Sequence, residues 1–126
     1  MKQVWLVDDD QEMCQAISLM MSLLDCHTRI FNDPRQAARA LLAGEMPVLL
    51  LLDINMPVVT GLDLLEFIRH RPKWKKLPIL IISAEATDAD VDRAMGMGAD
   101  GYLIKPVSYD ELEKAFHKVV PVQPES

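Results

Sequence analysis

The run Val48-Leu49-Leu50-Leu51-Leu52 is unbroken and apolar, and it ends in Asp53. Five consecutive large aliphatic side chains cannot alternate between core and water, so such a strand is buried on both faces. A strand of that kind needs helices above and below it. The chain supplies them. Four further short runs are centred on Val4–Val7, Thr28–Phe31, Ile79–Ile82 and Tyr102–Ile104, and helical patterns separate all five.

The helical patterns are bounded by ordinary stop and start signals. The first carries Met13, Ile17, Met20 and Leu24 on one face. Asp33-Pro34 reads as an N-cap with a first-turn proline, opening a helix through Ala37, Ala38, Leu41 and Leu42 that Gly44 ends. After Gly61, the residues Leu62, Leu65 and Ile68 recur at helical spacing until Pro72. Thr87 with Asp90, and Ser108 with Glu111, read as capping boxes. The first opens a helix through Val91, Ala94 and Met95 that Gly96 and Gly98 stop. The second opens one through Leu112, Ala115, Phe116 and Val119.

Strand and helix alternating five times predict an α/β fold: a doubly wound, five-stranded parallel sheet with five helices. The second run is the most mixed in polarity and the fifth is the shortest, so both suit edges. The expected strand order is 2-1-3-4-5. Residues 1–120 read as one domain and 121–126 as a linker-like tail.

Composition narrows the function. The chain has 126 residues and a formal net charge of -6, the opposite of the basic face that a nucleic-acid binder carries. Arg69, Arg71, Lys73, Lys75 and Lys76 form the one basic cluster and read as a solvated loop. Cys14 and Cys26 lack metal-ligand spacing and read as reduced thiols of a cytoplasmic protein. Val4–Val7 is too short for a secretory signal, and no apolar run approaches the length of a membrane span. His27, His70 and His117 read as surface residues, and the eight methionines as helix-face and gap-filling residues.

In an open parallel sheet, ligands bind beyond the carboxyl ends of the strands where the order reverses. Asp8-Asp9-Asp10 end the first strand, Asp53 the third, Ser83 the fourth and Lys105 the fifth. Asp10 suits the start of the first helix, but capping does not require three aspartates in a row. Carboxylates gathered from two strands repel one another, and a divalent cation relieves the conflict. An oxygen-only donor set with open positions suits Mg2+. Mg2+ beside an aspartate, a hydroxyl and a lysine points to phosphoryl transfer, with Asp53 as nucleophile.

Val7-Asp8-Asp9-Asp10, Asp53-Ile54-Asn55-Met56-Pro57 with Gly61, Ser83-Ala84, and Gly101-Tyr102-Leu103-Ile104-Lys105-Pro106 together resemble response-regulator receiver domains of two-component signalling. The resemblance covers about residues 3 to 119 and implies the CheY-like, flavodoxin-like fold. It implies Asp53 as phosphoacceptor, Asp9 as a direct Mg2+ ligand, Asp8 as a ligand through water, and Asn55 as a ligand through its backbone carbonyl. It further implies Ser83 as the hydroxyl that bonds a phosphoryl oxygen, Lys105 as its ion-pair partner, and Tyr102 as a rotating switch aromatic. The Lys105-Pro106 peptide bond is expected to be cis.

The partners implied are a histidine kinase or phosphotransfer protein and an output domain or partner protein. A phosphorylation-dependent dimer is compatible; direct nucleic-acid or membrane binding is not expected. The domain would catalyse its own phosphorylation and dephosphorylation only. Glu85 and Asn55 flank the expected site and could steer water. Two other readings compete: a phosphorylation-independent scaffold, and a Mg2+ phosphohydrolase with an aspartyl nucleophile. The second expects a carboxylate two residues after the nucleophile, where this chain has Asn55.

Overall fold

The computed structural model describes residues 2–56, 59–84 and 87–121. Among them are five strands and five α-helices in strict alternation: β1 (Lys2–Val7), α1 (Gln11–Ser22), β2 (Cys26–Phe31), α2 (Pro34–Leu42), β3 (Leu49–Asp53), α3 (Gly61–Arg69), β4 (Ile79–Ser83), α4 (Asp88–Gly96), β5 (Gly101–Ile104) and α5 (Tyr109–Val119). All strand pairs are parallel, and the order is β2-β1-β3-β4-β5. The doubly wound sheet expected from the runs is the one formed.

Period-two geometry divides the core in two. Trp5, Val7, Leu50, Leu52, Ile79 and Ile81 face one side, with Leu41 of α2, Leu64, Leu65 and Ile68 of α3, and Ala94 of α4. Val4, Leu6, Leu49, Leu51, Leu80 and Ile82 face the other, with Ile17 and Met21 of α1 and Leu112 and Phe116 of α5. Leu49 to Leu52 are each fully buried, and each contributes about 1.5–3 kcal/mol of transfer free energy. Trp5 fits the first strand because its ring meets Phe31 edge-on at 5.0 Å and its Nε1 donates to Gln3 Oε1.

Polar side chains set the helix starts. Asp10 accepts from the N–H groups of Glu12 and Met13 at the head of α1. Ser108 and Glu111 form the expected capping box, and Thr60 with Asp63 forms another at α3. Thr87 accepts from the Asp90 N–H at α4.

Asp33 caps α2 and is also held by the Arg35 guanidinium, which brings its carboxyl down to about 2. A depressed carboxylate contributes stability above its ordinary value of 3.8, lost as pH falls through the folded value. A carbon-13 titration of the Asp33 carboxyl should show its midpoint at about 2. Arg35→Ala should carry it partway back towards the ordinary value.

Several helix faces differ from the pattern. The fully buried residues of α1 are Cys14, Ile17 and Met21; Met13, Met20 and Leu24 are partly buried against the same core, Leu24 from beyond the helix end at Ser22. Leu42 and Met95 are exposed, at 59% and 42%. Pro72 closes α3 but also opens a 3-10 turn, Pro72–Trp74.

The basic cluster is not uniformly solvated. The Arg69 side chain is 13% exposed and donates to Gly98 O, Trp74 O and Asp100 Oδ2, while Arg71 stacks over Phe67 and Trp74. Trp74 is buried beneath them. The stretch is therefore a strut between α3 and the loop entering β5. Gly98, with φ +107, lets that loop pass the Arg69 stem.

Cys14 and Cys26 are free and buried, at 3% and 1% exposure. Burial pushes the Cys14 thiol up to about 11. His27, His70 and His117 are exposed. No helix among the described residues is long and apolar enough to cross a membrane. The expected tail lies outside the described residues from position 122 onwards.

Candidate functional site: an acidic crevice at the strand ends

Strand register brings the site residues together. Val7 of β1 pairs with Leu52 of β3, so Asp8 follows β1 where Asp53 ends β3. Asp53 pairs with Ile82, one residue short of Ser83, and Ser83 pairs with Ile104, one short of Lys105. Four adjacent strands thus deliver their terminal polar groups to one end of the sheet, as the sequence implies.

Three of these groups are deeply buried: Asp8 and Ser83 at 0% exposure and Asp53 at 4%. Asp9 is exposed. One carboxylate oxygen from each of Asp8, Asp9 and Asp53 lies within 4.8 Å of the others. Lys105 Nζ reaches Asp8 Oδ2 at 3.0 Å and Asp53 Oδ2 at 3.4 Å. Among the described residues, one ammonium against these three carboxylates leaves a formal excess of two negative charges.

The oxygens of the two buried aspartates differ in their partners. Asp8 Oδ1 accepts from the Asp10 N–H at 2.9 Å. Asp8 Oδ2 meets Lys105 as an ion pair but outside hydrogen-bond alignment, so this buried oxygen keeps acceptor capacity. Asp53 Oδ1 accepts from the Asn55 N–H at 3.0 Å. Asn55 Nδ2 also donates to Ser83 Oγ at 3.1 Å.

The charges answer to these contacts. Burial raises the Asp53 carboxyl above its ordinary value, and the Asp8 charge adds to it, while the Asn55 N–H and Lys105 oppose it. Burial alone would lower Lys105, but the close Asp8 carboxylate and the charge of Asp53 outweigh it and hold the ammonium above its ordinary value.

The donor set fits a hard divalent cation. It offers oxygens only, gathered closely enough to share one ion, one of them buried with acceptor capacity left. Asp8, Asp9 and Asp53 are the residues that would hold it. Relief of their crowding can be measured. In chelator, Asp9→Asn should raise the unfolding midpoint by a few degrees and flatten its response to Mg2+. A fall in both chelator and Mg2+ would make Asp9 structural.

Lys105-Pro106 is cis, as expected. Tyr102 on β5 is half-buried against the core that contains Ala94 and Ala99. Pro57 and Glu85 lie outside the described residues. Asn55 is the residue whose full part the sequence does not announce. Its amide reaches 28 positions along the chain to Ser83, a contact created by the register of β3 and β4.

These features define an α/β protein with a cation-ready acidic crevice at its topological switch point. The family model described as "Response regulator receiver domain" matches residues 4–117, and the chain belongs to that family. Chemotaxis protein CheY of Pseudomonas aeruginosa is 34% identical over 122 residues, which are 93% of this chain and 98% of that protein. Regulator of RpoS of Escherichia coli K12 is 38% identical over 106 residues, 84% of this chain but 31% of its own length. The chain spans less than a third of the first curated relatives it matches. The solved structure of chemotaxis response regulator CheY4 of Vibrio cholerae has a TM-score of 0.84 at 28% identity, covering 94% of this chain and 98% of that one.

Proposed function

We propose that Asp53 accepts a phosphoryl group from the phosphohistidine of a histidine kinase or phosphotransfer protein in the cytoplasm. The acyl phosphate then shifts the α4–β5–α5 surface and controls an output domain or partner protein. The observation that carries this reading is the Asp53 carboxylate itself: 4% exposed, beside two further aspartates and 3.4 Å from Lys105 Nζ.

Asp53 attacks phosphorus, the new O–P bond forming as the N–P bond to the donor imidazole breaks, and that nitrogen leaves with the bonding pair to be reprotonated. Mg2+, when bound by Asp8, Asp9, Asp53 and the Asn55 carbonyl, supplies positive charge to the phosphoryl oxygens. Lys105, now shared between Asp8 and Asp53, is the cation that turns to the phosphoryl group. Ser83 donates its hydroxyl to a phosphoryl oxygen. Tyr102, half-buried on β5, follows as the rotating aromatic. The switch is a shift between two conformations driven by one local charge event. The chain's own catalysis extends to its phosphorylation and dephosphorylation only. Asn55, an amide donating to Ser83, provides no second carboxylate for an aspartyl phosphohydrolase.

The test uses Mg2+ and acetyl phosphate. The intact mass should gain one phosphoryl group, and reduction with borohydride should convert Asp53 to homoserine in the peptide map. Chelator should suppress both. No gain in mass, or a modified peptide lacking Asp53, would refute the reading. Partner binding unchanged in Asp53→Ala would favour the scaffold.

A further inference from the structure

We propose that Asn55 is a positioning residue for phosphoryl transfer, acting through the Ser83 hydroxyl; this rests on the phosphoacceptor reading above. Asn55 holds the two key groups at once. Its main-chain N–H donates to Asp53 Oδ1 at 3.0 Å, and its side-chain Nδ2 donates to Ser83 Oγ at 3.1 Å. The nucleophile and the hydroxyl are therefore spanned by a single residue.

Asn55 is exposed, so packing does not fix its side chain. Ordering an exposed amide lowers its conformational entropy, and the bond to Ser83 is the interaction that compensates. The partner is fully buried. A fixed amide donor against a buried hydroxyl has a definite chemical effect. The N–H occupies one lone pair of Oγ, which turns the hydroxyl proton away from the amide. Donation into an O–H group also polarises it and makes it the better donor to a third group.

That third group, during transfer, is an equatorial phosphoryl oxygen. A donor already oriented towards developing charge needs no reorganisation when the charge appears. Asn55 prepares Ser83 for that task without touching phosphorus. Its own carbonyl and main chain survive any substitution of the side chain, so the role of the amide can be isolated.

The experiment is a double-mutant cycle. Rates of Asp53 phosphorylation by acetyl phosphate with Mg2+ are followed by intact mass for wild type, Asn55→Ala, Ser83→Ala and the double variant. Asn55→Ala should slow the reaction about three- to tenfold, the scale of one hydrogen bond. In the Ser83→Ala background it should slow it no further. A second readout needs no phosphodonor: the side-chain amide resonance of Asn55 should shift in Ser83→Ala. An Asn55→Ala rate equal to or above wild type, losses that multiply, or an unmoved amide resonance would each overturn the positioning role. A wild type that takes up no phosphoryl group would overturn the phosphoacceptor reading as well, whereas multiplicative losses on an active wild type would overturn the positioning role alone.

Discussion

Asp53→Asn should abolish uptake of the phosphoryl group from acetyl phosphate, leaving the intact mass unchanged under conditions where the wild type gains one. The asparagine amide is nearly isosteric but lacks the anionic oxygen that attacks phosphorus. Its carbonyl oxygen can still accept the Asn55 N–H that now holds Asp53 Oδ1, so the turn after β3 should survive. The same variant carries an opposite effect on stability. The folded Asp53 carboxyl is raised, chiefly by burial. A raised carboxyl contributes stability that is present below its unfolded value and is lost as pH rises through the folded value. In chelator at neutral pH the wild type has lost that contribution, whereas the amide has no charge to desolvate. Asp53→Asn should therefore unfold at a higher temperature than wild type at neutral pH. The gap should close as pH falls towards the ordinary carboxylate range. Loss of phosphorylation with higher stability separates a chemical role from misfolding. A destabilised variant, or one that still accepts the group, would contradict the assignment.

How far a residue's place is legible in the sequence depends on what its partners are. The sheet was legible because Leu49–Leu52 and Ile79–Ile82 are apolar on both faces, and that pattern has few other solutions. The crevice was legible because polar residues at strand ends are placed by the sheet alone: Asp8, Asp53, Ser83 and Lys105 needed no knowledge of side-chain partners. The face of α1 was not fully legible. Met13, Cys14, Ile17, Met20 and Met21 form a broad apolar arc, within which Cys14 and Met21 are the ones buried, in the same cluster as Val4, Leu6 and Leu51. Arg69 was misread because it begins a series of charges. Burial lowers its pKa while Asp100 opposes that shift, and its acceptors Gly98 O and Asp100 Oδ2 lie 29 and 31 residues away. The buried Trp74 within that series was the available hint. Asn55 to Ser83 is legible only from register, since neither residue signals the other in sequence.

Gly61→Ala should have the largest effect on the fold among the single changes near the site, and the reason lies in backbone contact rather than glycine flexibility. A Cβ at Gly61 would stand 2.2 Å from Asp53 O, 2.8 Å from Asp53 C and 2.9 Å from Ile54 Cα. All three are main-chain atoms, so no side chain can rotate to make room. At Gly101, by contrast, the intruding atom would be the terminal Cδ2 of Leu80, which can rotate away. Relief at Gly61 requires α3 to withdraw from the end of β3. Its anchors resist this: Thr60 and Asp63 cap one another, and Leu64, Leu65 and Ile68 are buried. Overpacking of this kind costs about 1–3 kcal/mol and sometimes more, and contact with immovable backbone places Gly61→Ala at the upper end. For a domain of this size the unfolding midpoint should fall by about 10 °C. The displacement also begins at the main chain of Asp53, so phosphorylation of the folded fraction should slow as well. Measured well below the midpoint, a reduced rate would show that close approach of α3 sets the carboxylate. An unchanged rate with a lower midpoint would confine Gly61 to stability, and an unchanged midpoint would mean that α3 yields without penalty.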